Sequence, residues 1–319
     1  DGEAIDFGST VAGGGNTLTI SGGGGFAGAV SGVTTFTADH IDTESTLSAG
    51  TVSVSGTSDI GGNVTTTGEQ VYTGAVTQTA NVTYTGVDTD ADGEAIDFGS
   101  TVAGGGNTLT ISGGGGFAGA VSAVTTFTAD HIDTESTLSA GTVSVSGTSD
   151  IGGDVTTTGE QVYTGAVTQT ANVTYTGVDT DADGEATDFG STVAVGGNTL
   201  TISGGGGFAG AVSAVTTFAA DHIDTESTLS AGTVSVSGTS DIGGDVTTTG
   251  EQVYTGAVTQ TANVTYTGVD TDADGEAIDF GSTVAGGGNT LTISGGGGFA
   301  GAVSGVTTFT ADHIDTEST

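Results

Sequence analysis

The chain has 319 residues, with Lys+Arg 0, Asp+Glu 38 and a formal net charge of -38, and it lacks Pro, Cys, Met and Trp. Without cations it cannot neutralise nucleic-acid phosphates or hold to an anionic membrane surface electrostatically, so nucleic acid is excluded as a partner. Without Cys, Lys or Arg there is no disulfide, thiolate nucleophile, zinc–thiolate site, Schiff base or guanidinium clamp, and most enzyme classes lose a needed part.

No apolar run is long enough to span a bilayer, so membrane insertion is not expected. The abrupt start at Asp1 and end at Thr319 read as a segment of a longer chain. The stretch DGEAIDFGSTVAGGGNTLTISGGGGFAGAVS opens at Asp1 and returns, nearly unchanged, at Asp92, Asp183 and Asp274. The repeats are therefore 1–91, 92–182, 183–273 and a partial 274–319. Visible differences are few: Gly32/Ala123, Asn63/Asp154, Ile96/Thr187, Gly104/Val195 and Thr128/Ala219. A catalytic site gains nothing from such copying, whereas a rod or a multivalent surface does.

In chain order, apolar pieces at 4–7, 18–20, 33–36, 52–54, 71–72 and 82–84 are strand-like, several alternating with Thr or Ser at period 2. Gly, Ser, Asn and Asp clusters punctuate them, and no stripe of period 3.6 occurs. Val, Ile, Leu and Phe make up 19 of the 91 residues in a repeat, few for an ordinary globule. A parallel β-helix solves this, because each coil buries a few inward side chains and stacking makes the core continuous. Cuts after Gly15, Gly32, Gly50 and Gly68 divide the repeat into four pieces of similar length and a somewhat longer remainder. That predicts an all-β chain, one continuous β-solenoid over 1–319, with about 18 residues per coil and five coils per repeat. The competing fold is a string of immunoglobulin-like β-sandwiches, one per repeat.

Two stretches carry a resemblance. Residues 4–11 (AIDFGSTV), followed by 16–20 (NTLTI), and residues 66–76 (TTGEQVYTGAV) resemble the repeats of giant secreted bacterial surface proteins of the filamentous-haemagglutinin type. The resemblance implies a right-handed parallel β-helix, exported to the cell surface as a long fibre that mediates adhesion. The complete lack of Lys and Arg and the uniformity of the repeat depart from that family's usual pattern.

The strongest local motif lies at the repeat junction. Asp88, Asp90, Asp92 and Gly93 spell D-x-D-x-D-G, followed by Glu94 and Asp97. It returns as Asp179, Asp181, Asp183, Glu185 and Asp188, and as Asp270, Asp272, Asp274, Glu276 and Asp279. Alternating carboxylates before a Gly open an EF-hand-type loop, which makes Ca2+ the expected ion, although the position of the closing Glu is Gly99. With no Lys or Arg available, only a bound cation would relieve repulsion among these carboxylates; the plain alternative is a solvated acidic corner.

A second cluster, Asp39-His40-Ile41-Asp42-Thr43-Glu44, recurs at 130–135, 221–226 and 312–317, and reads as a surface turn rather than a metal or catalytic site. Thr-x-Thr runs such as Thr17-Leu18-Thr19 do not recur at one coil offset, so they read as ordinary strand threonines rather than a flat ice-binding array. Tyr72 and Tyr84 read as core. Asn63, Asn81, Asn172 and Asn263 each open an Asn-Val-Thr sequon.

Together these features predict a non-enzymatic structural component of an extracellular filament or surface fibre, calcium-stiffened, showing identical faces at every repeat. The alternative is an adhesin stalk or multivalent module binding a receptor or glycan. The partner expected for a filament is another copy, end to end or side by side.

Overall fold

The computed structural model describes residues 3–316, in which there are 41 strands and no helix. The chain is a parallel β-solenoid of about 17 turns with stacked coils about 18 residues apart. Sandwiches are ruled out, because they need antiparallel neighbours, whereas the strand pairs here are parallel. The chain divides into two compact units, Asp1–Thr158 and Gly159–Thr319.

The first unit opens with the strands β1 (Ile5–Phe7), β2 (Val11–Ile20), β3 (Gly24–Phe26), β4 (Val30–Ala38), β5 (Ile41–Thr43), β6 (Leu47–Val54), β7 (Ser58–Ile60), β8 (Val64–Thr66), β9 (Gln70–Tyr72), β10 (Val76–Gln78), β11 (Val82–Thr85), β12 (Ile96–Phe98) and β13 (Val102–Ser112), and six more strands follow up to Thr157. They stack in three columns. The column through Ile5 runs on through Gly24, Ile41, Ser58 and Val76 to Val102. β2, β4 and β6 are long because each turns a corner and serves two columns; β6 pairs β8 through Leu47 and β9 through Val52. The eleven strands of the first repeat therefore supply fourteen strand segments at three per coil, one third of a coil short of five.

Fourteen is not a multiple of three, and this has a direct consequence. Ile96, the copy of Ile5, does not stand in the column of Ile5 but in that of Gln70. The second unit behaves alike. The column through Thr187 continues through Gly206, Ile223, Ser240 and Val258 to Val284, and Ile278 stands instead beside Gln252. Within each unit, copies of a surface feature thus move one column round from one repeat to the next, and the expectation of identical faces at every repeat is corrected.

The alternation seen in the sequence is the inside–outside alternation of the coils. Val52, Val54 and Val64 are buried, while Thr51, Ser53 and Thr65 beside them are exposed. Parallel register sets like on like: Phe98 stacks on Tyr72 with ring centroids 5.3 Å apart, and Phe117 on Phe98 at 5.0 Å. Tyr72 and Tyr84 are fully buried, as expected. Some polar groups that enter the core are tied: Gln70 Nε2 donates to the Thr85 carbonyl at 2.8 Å, and Tyr72 OH donates to Gln70 Oε1 at 3.1 Å, whereas the Gln78 amide and the Tyr84 hydroxyl are buried without a hydrogen-bond partner. One expectation fails. Thr108, Thr126 and Thr142 lie in register on successive coils, as do Thr110, Thr128 and Ser144, so the Thr-x-Thr runs do align. Unequal coil lengths hide this in the sequence.

Candidate functional site

The junction is an insertion in the coil. The step from Ser58 to its partner Val76 is one ordinary coil, but the step from Val76 to its partner Val102 is markedly longer. The surplus is the acidic loop between β11 and β12. Asp88 builds it: its Oδ1 accepts N–H groups of Asp90 (3.1 Å) and Ala91 (2.7 Å), and its Oδ2 accepts that of Gly93 (3.0 Å). These donors, Ala91 first, hold the Asp88 carboxyl below its ordinary range. Ala91 and Gly93 both take positive φ, 68° and 100°, which closes the loop. Asp179 and Asp270 repeat the arrangement, accepting from Ala182 and Ala273 at 2.6 Å and from Gly184 and Gly275 at 2.9 Å.

The structure sorts the junction carboxylates into two groups, each with one oxygen per residue within 4.8 Å of the others. Asp88 and Asp90 join Glu69; Asp92, Glu94 and Asp97 form the second group. In the second unit Asp179 and Asp181 join Glu160, Asp183 joins Glu185 and Asp188, and Asp270 and Asp272 join Glu251. Asp274, Glu276 and Asp279 line an acidic cleft at that last junction. The three aspartates of D-x-D-x-D-G therefore do not converge on one point; they divide about the turn at Ala91. Glu69 was missed by sequence reasoning. It arrives from the preceding coil, where its carboxylate also accepts the N–H of Thr89 at 3.0 Å and the Thr89 hydroxyl. Three carboxylates so placed suit a hard cation such as Ca2+, with carbonyls and water completing the shell.

Beside the second group runs a cleft of about 150 Å³, lined by Glu94, Asp97, Gly116, Asp133 and Glu135. Asp97, Gly116, Asp133 and Asp150 are in register on four successive coils. Gly116 interrupts that ladder, and the Glu94 carboxylate takes the vacated space: a Cβ on Gly116 would collide with Glu94 Oε2. Burial, then the charges of Asp133, Asp92 and Asp97, push the Glu94 carboxyl up to about 8. Asp97 and Asp133 are also raised, chiefly by burial. Glu185 is likewise pushed to about 8, and Glu276 to about 7.

The His clusters are surface turns only in part: Asp39 and His40 lie in a bend, but Ile41–Thr43 is the strand β5, with Ile41 and Thr43 buried. His131 Nδ1 meets Thr148 Oγ1 at 2.7 Å, and Asp130 Oδ2 accepts the N–H of Gly113 at 3.2 Å. The His131 ring also packs under Gly93, so the bend supports the acidic loop. Glu317, the last member of the fourth cluster, lies outside the described residues.

The chain has no significant match among protein-family models, curated proteins or solved structures. Its class rests on the fold itself: a tandem-repeat parallel β-solenoid carrying acidic clusters that could hold a metal ion.

Proposed function

We propose that this chain is a structural component of an extracellular filament or surface fibre, an acidic β-solenoid stiffened by calcium at its repeat junctions. One observation carries the reading. The same coil, with the same acidic insertion, is built anew in each repeat, so the molecule repeats a geometry rather than elaborating one cleft. Nested coils satisfy one another's backbone groups, which resists local opening. The likeness of 4–11 and 66–76 to filamentous-haemagglutinin-type repeats supports placing the fibre on a cell surface, and an adhesin stalk is the variant of this reading that the likeness favours.

Calcium titration followed by thermal unfolding tests it, with EDTA and sodium of equal ionic strength as controls. A rise in melting temperature that saturates at a fixed number of ions per chain supports junction binding. A rise no greater than sodium gives removes calcium from the proposal. Sedimentation at high concentration tests assembly: only monomers there would count against a self-assembling filament. Fractionation of the producing cells tests the surface location.

A further inference from the structure

The chain uses its asparagines in two opposite ways. Asn107 and Asn198 turn the amide nitrogen inward, donating from Nδ2 to the carbonyls of Gly104 and Val195 at 2.9 Å. The sequon asparagines do the reverse. Asn81 Oδ1 accepts the N–H of Thr108 at 2.9 Å, Asn172 Oδ1 that of Thr199 at 2.8 Å, and Asn263 Oδ1 that of Thr290 at 2.8 Å, each from the next coil. All three residues are exposed, and their Nδ2 atoms make no hydrogen bond among the described residues.

The fold does not need that nitrogen. At the other sequon position Asn63 Oδ1 accepts from Thr83 at 2.9 Å, and in the third repeat Asp245 Oδ1 accepts from Thr265 at 2.8 Å. An oxygen alone therefore makes the link between coils. Each of Asn81, Asn172 and Asn263 stands immediately before a short strand and opens Asn-Val-Thr. A group added to Nδ2 would leave the coil contact intact and extend into solvent.

We propose that Asn81, Asn172 and Asn263 are N-glycosylation sites. In the transfer, the sugar C1–O bond of an activated sugar phosphate or diphosphate donor breaks and C1 bonds to Nδ2. The phosphate group leaves with the electron pair, and Nδ2 gives up one proton to a base of the transferase. No oxidant or reductant is involved. The native occurrence of this modification rests on the exported-fibre reading; the acceptor geometry does not. Because Asn172 and Asn263 precede strands in different columns of the second unit, their saccharides would leave from different sides of the coil.

The test is secretion of the chain, behind an added signal, from a eukaryotic host with N-glycosylation machinery. Intact mass is read before and after peptide N-glycosidase, which leaves Asp where a glycosylated Asn stood. Mapping needs cleavage at Asp or Glu, since trypsin has no site. The expected result is excess mass removed by the enzyme, with Asn81, Asn172 and Asn263 converted to Asp. The variant N81D/N172D/N263D keeps the acceptor oxygen, so it should retain the parent's melting temperature and lose the excess from these positions. A second variant, T83A/T174A/T265A, leaves the asparagines in place and should lose it as well. A folded, secreted chain with all three asparagines unmodified overturns the proposal. Since the added signal imposes export, this outcome is independent of the fractionation result on which the fibre reading depends.

Discussion

The carboxylate of Glu94 occupies the place that a side chain on Gly116 would fill, on the coil between Asp97 and Asp133. The interruption in the aspartate ladder is therefore a seat for a fourth acid. Gly207 seats Glu185 in the same way in the second unit. What an added Cβ at Gly116 would strike is the far end of a flexible chain, which can swing into water. Gly116→Ala should therefore cost less than about 1 kcal/mol, and should return the Glu94 carboxyl toward its ordinary range. Gly114→Ala is the contrast, because there the Cβ would strike the Gly93 carbonyl and φ is 97°. It should cost about 1–3 kcal/mol or more. Denaturation midpoints and carboxyl titration by NMR check both; equal costs at the two positions would sink the assignment.

The raised carboxyls set a pH dependence. The ordinary value of Glu is 4.5, and Glu94 and Glu185 are raised to about 8 and Glu276 to about 7. The folded chain holds these protons more tightly than the unfolded chain. Their stabilisation is complete below pH 4.5 and is lost as pH rises through 7 to 8. Melting temperature should therefore fall between pH 5 and pH 9, with a smaller fall in E94Q/E185Q/E276Q. An unchanged slope in the triple variant would show that the dependence arises elsewhere.

Thr187 is a flaw that its own copies correct. It is fully buried with an unpartnered hydroxyl, where Ile96 and Ile278 are fully buried and apolar. Thr187→Ile should stabilise the second unit by about 1–2 kcal/mol, by adding apolar burial and removing an unsatisfied hydroxyl. Ile96→Thr should destabilise the first unit by a similar amount. Chemical denaturation of the two single variants measures both shifts, and opposite signs are required.

The core phenols report on integrity at high pH. All six tyrosines are fully buried, and desolvation raises Tyr72, Tyr163 and Tyr254 well above 10. The protons are held more tightly in the folded state, so stability drains as pH climbs past 10. Phenolate absorbance should appear together with the loss of strand circular dichroism, in one transition. A separate, earlier phenolate rise would mean that the phenols reach solvent in the folded chain.

Much of this architecture was legible in the sequence. Alternation in stretches such as Val52-Ser53-Val54 marks inward and outward positions, and the Gly cuts fall near true coil lengths. The site was legible only in part. D-x-D-x-D-G marked the acidic loop, but Glu69 is brought to Asp88 by coil stacking, and local spacing carries no trace of that. The register of Thr108 with Thr126 and Thr142 was hidden because the first step along the chain is longer than the second. The role of Gly116 was invisible for a related reason, since its partners Asp97 and Asp133 are neighbours only across coils.

The mismatch between fourteen strand segments and three columns turns tandem duplication into a spiral staircase. In an uninterrupted array built on this pairing, a flat partner resting on one side would meet every third repeat, while partners approaching from all round would find successive copies within reach. Lengthening such a gene by one repeat would re-aim every feature downstream, and lengthening it by three would restore the original bearing.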